Sequence, residues 1–330
     1  MILAGDIGGT STRLGIFETD GTGFQLMVEQ TYSSRFYGSL EDIVLKFTTQ
    51  HPGVKIHHAC FGVAGPVLEG IVRTPNLPWL IESRSLAAEL ALEEVLLIND
   101  LEANAHGVAV MASNAFITLN AGDSTSSGNA AIISAGTGLG EAGLYWSGQK
   151  HHPFACEGGH ADFAPGNEQE VELLKYLRGE FGHVSWERVL SGPGLHNIYK
   201  FLRDTNRGEV SAQVADEICM TDPAKAISQA ATEGRCGLCA VALDMFVAIY
   251  GAAAGNLALK MMARGGVYVG GGIAPKIILK LTGPTFMRAF LDKGRMRSLL
   301  ERIPVRVIMN DRAALWGAAC YSRRISPDGN

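Results

Sequence analysis

Short blocks and alternations of apolar residues run through the first third of the chain, and they predict strands at 2–7, 12–18 and 24–32. A glycine-rich turn separates the first two, so the chain opens on a three-stranded meander. The spacing then becomes helical over 39–50, with Leu40, Ile43, Val44 and Phe47 on one face and Ser39 placed to cap it. A strand at 59–64, a Pro/Gly-rich loop at 65–79, a short helix at 85–92 and a buried strand at 95–98 come next. That last strand runs into Asn99 and Asp100, and helical spacing resumes over 101–111, so the two polar residues stand where a strand hands over to a helix N-terminus.

A polar stretch at 120–129 reads either as a linker or as a long hairpin loop. Directly after it the opening pattern recurs: a strand at 130–135, the glycine turn GTGLG, and a strand at 141–146. Two strand, glycine turn, strand units predict two related lobes facing each other across a ligand. The rest is mainly helical, at 168–181, 195–204, 211–220, 223–232 and a long segment from Cys236. It closes with a strand at 267–269 running into three glycines, a strand at 304–309 and a helix at 312–323. The expected division is a small α/β domain of 1–110 with 312–330, and a larger α+β domain of 111–311.

Length agrees, since 330 residues exceed one ordinary core. With 47% hydrophobic and 18% charged residues, the chain has the composition of a folded globular protein. The apolar stretch 236–262 is interrupted by Asp244, Gly251, Gly255, Asn256 and Lys260, and is expected to be a buried helix and not a membrane span. No basic leader opens the chain, so a cytoplasmic location is expected. A net charge of -5 with scattered basic residues argues against nucleic acid and for a small ligand. The six cysteines lack framework spacing, and Cys236 and Cys239 lack a second ligand pair, so no zinc site is expected.

Glycine changes the picture most, with 40 of 330 residues, about 12% against an average near 7%. GDIGGTSTR (5–13) can converge backbone N–H groups on phosphate oxygens, with Thr10 adding a hydroxyl. It lacks the GK[ST] ending of a Walker loop, and it leads into a strand, so neither that motif nor a dinucleotide fingerprint applies. An ordinary glycine hairpin is the alternative. Asp6 is awkward beside an anion unless a cation bridges them, and Mg²⁺ is the natural bridge. SAGTGLG (134–140) repeats the hairpin and again carries a threonine, Thr137. VGGGIAPK (269–276) leads through Gly271 and Gly272 to a helix with Pro275 near its first turn, a ready site for a nucleotide. Asp100 reads as a helix N-cap or as a catalytic acid/base. Glu157 and His160 flank two glycines in CEGGHADFAP, and Glu187 precedes a glycine turn in SWERVLSGPG; alone, the last two read as a structural histidine and a solvated charge.

Together these segments resemble the bacterial-type glucokinases, in the superfamily that also holds hexokinases, actin and heat-shock chaperone ATPases. The resemblance spans essentially the whole chain, and EGGHADFAP followed by ERVLSGPGL is its most specific part. It implies a two-lobed actin-like (ribonuclease H-like) α/β ATPase fold with the active site in the interlobe cleft. It implies that Asn99, Asp100, Glu157, His160 and Glu187 contact glucose, with Asp100 as the base that helps the 6-hydroxyl attack the γ-phosphate of ATP. Gly5, Asp6, Gly8, Gly9, Thr10, Gly136, Thr137, Gly138, Gly271 and Gly272 would surround the nucleotide, with Asp6 reaching Mg²⁺ through water. A homodimer is the family's usual assembly. The related repressor and open-reading-frame kinases carry a cysteine zinc motif near the sugar histidine, where this chain has only Cys156. The alternatives are a broader hexose kinase, a non-catalytic sugar sensor, which would lack the base or add a DNA-binding segment, and a chaperone-like ATPase, which would not need the sugar set.

Overall fold

The alternation at the N-terminus folds as β1 (Ile2–Ile7), β2 (Ser11–Thr19) and β3 (Phe24–Ser33), paired antiparallel in turn. In this computed structural model, which describes residues 1–19, 23–74, 77–123 and 125–325, α1 (Leu40–Gln50) leads next to β4 (His58–Val63). Ser39 caps α1 in a full capping box with Asp42. A small antiparallel hairpin, β5 (Ile71–Arg73) and β6 (Leu80–Glu82), stands in the segment expected to be loop; 75–76 lie outside the described residues. Its strands are too short to show a period. Then come α2 (Ser83–Leu90), β7 (Leu96–Asn99) and α3 (Asp100–Val108). β4 and β7 add in parallel to β1, giving the order β3-β2-β1-β4-β7.

Alternation sends the two faces of this sheet to different cores. Leu3, Ile7, Leu14 and Ile16 pack with Leu40, Ile43 and Phe47, whereas Ile2, Ala4, Phe17 and Ile98 pack with Ala103 of α3 and with the C-terminal helix Ala313–Tyr321. That helix and α3 approach so closely that a side chain at Gly107 would strike the Ala313 backbone, and one at Gly317 the Ala103 backbone. These elements form one unit, Met1–Ser113 with Asn310–Asn330, the other being Asn114–Met309. Residues 326–330 lie outside the described residues.

The second unit holds β8 (Phe116–Asn120), β9 (Ala130–Ala135), β10 (Leu139–Trp146) and β11 (His151–Cys156). It continues through α4 (Glu168–Phe181), α5 (Gly192–Asp204), α6 (Ala212–Met220), α7 (Pro223–Thr232), α8 (Gly237–Met261) and β12 (Gly266–Gly270). It ends with α9 (Ile278–Leu281), α10 (Pro284–Leu291), α11 (Arg297–Glu301) and β13 (Val305–Ile308). The sheet order is β11-β10-β9-β12-β13-β8, with β9, β12 and β13 parallel. Each unit therefore repeats an antiparallel meander extended by two parallel strands. The polar stretch after β8 is no hairpin, because β8 pairs with β13 and β9 with β10 and β12. Among the described residues α8 alone is long and apolar enough to cross a membrane, and 67% of its most apolar window is buried inside the protein. An all-round apolar helix of this kind is a core helix. Gly251 and Gly255 let the α10 backbone lie directly against it at Phe286 and Phe290. Cys236 caps α8 by accepting from Cys239 N–H at 3.3 Å, both side chains being buried.

Candidate active site

In the first unit Ile7 pairs with Thr12, so the first glycine turn spans Gly8 to Ser11, closed by Gly8 N–H donating to the Ser11 carbonyl at 2.9 Å. Buried Ser34 braces it: its Oγ donates to the Gly8 carbonyl at 2.9 Å and its N–H to the Thr10 carbonyl at 3.1 Å, while Thr12 Oγ1 lies 3.0 Å from Ser34 Oγ. Among the described residues no peptide bond is cis, so turning the Gly8 carbonyl toward Ser34 directs Gly9 N–H the opposite way. Neither Gly8 nor Gly9 has a positive φ; at Gly8 the constraint is space, since a Cβ would lie 3.2 Å from the Ser11 carbonyl oxygen. Gly5, expected at the phosphates, lies instead in mid-strand, where a Cβ would run into Phe61 and Leu14. Its glycine serves packing.

Asp6 shares the face of Ile2 and Ala4 and is only partly exposed. Burial is the main reason its carboxyl is pushed up to about 6; nearby Arg13 pulls it down and Asp311 pushes it further up. Arg13 donates to the Asp311 carbonyl and to its Oδ2, both at 2.8 Å, and reaches Glu29 at 3.5 Å. A desolvated carboxylate near a second one gains from a divalent cation. Among the described residues no cluster of three His, Cys, Asp or Glu could hold a metal alone. Arg13 and Asp311 were not foreseen as a pair.

Asn99, at the end of β7, is the N-cap of α3: its Oδ1 accepts from Leu101 N–H at 2.9 Å and Glu102 N–H at 3.4 Å, and its Nδ2 donates to the Gly65 carbonyl at 3.1 Å. The capping role considered for Asp100 thus falls to its neighbour. Asp100 is the first helical residue, partly exposed, with Oδ1 3.0 Å from Leu101 N. Helix N-terminal N–H groups favour an anionic carboxylate there. The turn after β1 and Asp100 after β7 both leave the carboxyl ends of parallel strands, the usual edge for ligands in such sheets.

In the second unit Ala135 pairs with Leu139 across the turn Gly136–Thr137–Gly138, and the Gly136 carbonyl accepts from Gly192 N–H at 2.8 Å. β12 departs through Gly271, whose φ of 85° and close approach to the Ala135 backbone both require glycine. The expected helix after it is a 3-10 turn, Ala274–Ile277, followed by the single turn of α9. These segments meet at a cavity of about 440 Å³ lined by Gly136, Thr137 and Gly272, by the starts of α5 (Gly192, Pro193) and α7 (Pro223, Ala224), and by Lys225 and Lys276. The two lysines make it attractive to an anion, against the single carboxylate of Asp222, which also lines it and caps α7 by accepting from Lys225 N–H at 3.2 Å. Gly192, Lys225 and Lys276 escaped the sequence reading; proline at the first turn of α5 and of α7 was the available signal.

Glu157 and His160 bracket a 3-10 turn after β11, with His160 Nε2 3.9 Å from the Glu157 carboxylate and side chains 61% and 60% exposed. The glycines between them are set by β10: Cβ atoms would strike the buried carboxylate of Glu141 at Gly158 and the Leu139 carbonyl at Gly159. Burial raises the Glu141 carboxyl, and Glu141 was not anticipated. Glu187 is partly exposed and engaged. Its Oε2 accepts from Leu139 N–H at 2.9 Å and lies where a side chain at Gly138 would go. Within this unit, then, Glu187 meets the Gly136–Gly138 turn at Gly138 and Leu139, and Glu157 pairs with His160.

Comparison with known proteins adds an independent observation. A family model described as glucokinase matches residues 3–325. The curated glucokinase of a Nostoc species is 40% identical, covering 98% of this chain and 99% of that protein. The crystal structure of a glucokinase from an Antarctic psychrotroph superposes with a TM-score of 0.84 at 32% identity, covering 98% of both chains. A glucokinase of the ROK family from Streptomyces griseus, solved with glucose and AMPPNP, shares the fold at TM-score 0.67 and 21% identity, covering 98% of this chain and 99% of that one.

Proposed function

The chain belongs to the glucokinase family and phosphorylates glucose from ATP, and from that premise we propose how its residues divide the work. The nucleotide occupies the cavity of the second unit, with its phosphates on the turns at Gly136–Gly138 and Gly271–Gly272 and the rest of it between the helix starts at Gly192 and Pro223. The observation that carries this is the convergence of two glycine turns and two lysines on one 440 Å³ space. Gly8, Gly9 and Thr10 add backbone and hydroxyl donors for the γ-phosphate. Asp6 would hold Mg²⁺, in part through water, and that ion when bound supplies charge neutralisation on the phosphates.

Asn99, Glu157, His160 and Glu187 orient the hexose, whose hydroxyls each need a partner once desolvated. Asp100 accepts the proton of the 6-hydroxyl as that oxygen attacks the γ-phosphorus and ADP leaves. Phosphoryl transfer asks little more of the protein than this positioning and charge placement. Asp100→Asn is therefore expected to lower kcat by at least about a hundredfold while glucose still binds, measured by an ADP-coupled assay alongside calorimetry. Near-normal turnover would remove the role. The reading carries with it a cytoplasmic location, where ATP is supplied, and a homodimer, which light scattering checks.

A further inference from the structure

Tyr250, on α8, is fully buried with its ring edge-on to Phe246 and Phe286. Its hydroxyl lies where β9 and β12 part. It accepts from Ala135 N–H at 3.2 Å and donates to the Gly270 carbonyl at 2.9 Å, with the Ile133 carbonyl at 3.3 Å. The strands run parallel with Gly270 opposite Ser134, so one side-chain oxygen bridges them just where their ladder ends. Burial holds the phenol well above its ordinary range, so the group stays protonated and both donates and accepts.

The turns that leave these two strands give the link its importance. Ala135 is succeeded by Gly136 and Thr137, and Gly270 by Gly271 and Gly272. Gly136, Thr137 and Gly272 line the 440 Å³ cavity, whereas Tyr250 is not part of its lining. Together with Ile273 N–H, which donates to the Ala135 carbonyl at 3.3 Å, the hydroxyl therefore sets how far apart the strands stand at the last residue before each turn begins. Without it, either the strands close up to bond directly and carry the turns with them, or a buried N–H and carbonyl lose their partner.

We infer that Tyr250 is a positioning residue for phosphoryl transfer, its hydroxyl fixing the separation of the two glycine turns that hold the nucleotide. The inference rests on the nucleotide reading of that cavity. The hydroxyl touches none of the proposed glucose contacts directly; the nearest of them, Glu187, meets the same turn only at its far end, at Leu139 and Gly138, so the larger effect falls on the nucleotide.

Tyr250→Phe removes one oxygen and keeps the ring. The KM for ATP and the calorimetric Kd for ADP are expected to rise about tenfold, the factor equivalent to one well-placed hydrogen bond, with a far smaller change in the Kd for glucose. Phe246→Leu, on the same helix with no polar link to the strands, should lower the thermal midpoint and leave ADP binding alone. Gly272→Val tests the cavity itself, because nothing lies within 4 Å of a Cβ there; it should abolish ADP binding. Wild-type ADP affinity in Tyr250→Phe, or an equal loss in Phe246→Leu, overturns the inference. Wild-type affinity in Gly272→Val overturns the cavity reading beneath it. Hydrogen exchange on the unaltered enzyme needs no variant to fold: the Ala135 amide should exchange slowly and slow further with ADP, and fast exchange in both states overturns the inference.

Discussion

Asp6→Asn is expected to make the metal-free protein more stable and the enzyme nearly inert. The carboxyl moves from 3.8 to about 6 in the folded chain, chiefly through burial. Because the folded value is raised, Asp6 contributes its full stability below pH 3.8, and that contribution is lost as pH rises through about 6. Two pH units correspond to at most about 3 kcal/mol, less whatever water still reaches this partly exposed side chain. Asparagine has the same shape and cannot ionise, while Arg13 keeps Asp311 and Glu29 as partners. The assay is urea unfolding with a chelator at a series of pH values from about 4.5 to 8. The variant's advantage should be about a third of its full size at pH 4.5, grow to pH 7 and then level. Activity with ATP and Mg²⁺ should fall by about a hundredfold or more, as for loss of a group that neutralises phosphate charge. A stability difference that does not change with pH, or a variant less stable at pH 8, would refute the view that desolvation dominates this site.

Glu157→Gln should mainly weaken glucose binding, read as Kd by calorimetry, with kcat far less affected; an unchanged Kd would remove Glu157 from the sugar site. Ser34→Ala takes the brace from the Gly8 carbonyl, and a rise of about three- to tenfold in the KM for ATP is expected with the glucose Kd constant, from steady-state kinetics in both substrates.

Much of the fold was open to reading because it is written locally. The strand, glycine turn, strand repeat needs only alternation and a break, and Ser39 with Asp42 forms its capping box within four residues. β8 and β11 were missed because edge strands carry mixed polarity: β11 holds two histidines and a proline, and none of its residues is fully buried. At the candidate site, residue type singled out segments, but the partner each side chain takes could not be seen. Whether Asn99 or Asp100 caps α3 is settled by backbone angles at adjacent positions that both favour capping. Glu187 reads as a solvated charge until Leu139, far away in sequence, comes within 2.9 Å of it. Asp311 meets Arg13 across nearly the whole chain. Gly5 looked like part of a phosphate motif because it stands beside one, and only Phe61 on the neighbouring strand explains it.

The apolar character of α8 has a consequence for how the protein is made. On the ribosome this segment is synthesised before α10 and β12, so for a time on the order of seconds it waits without the surfaces that will cover it. A nascent chain displaying so apolar a segment is a natural client for holding chaperones and a natural seed for aggregates. Slower, cooler expression should raise the soluble yield more than any change to the finished enzyme's surface.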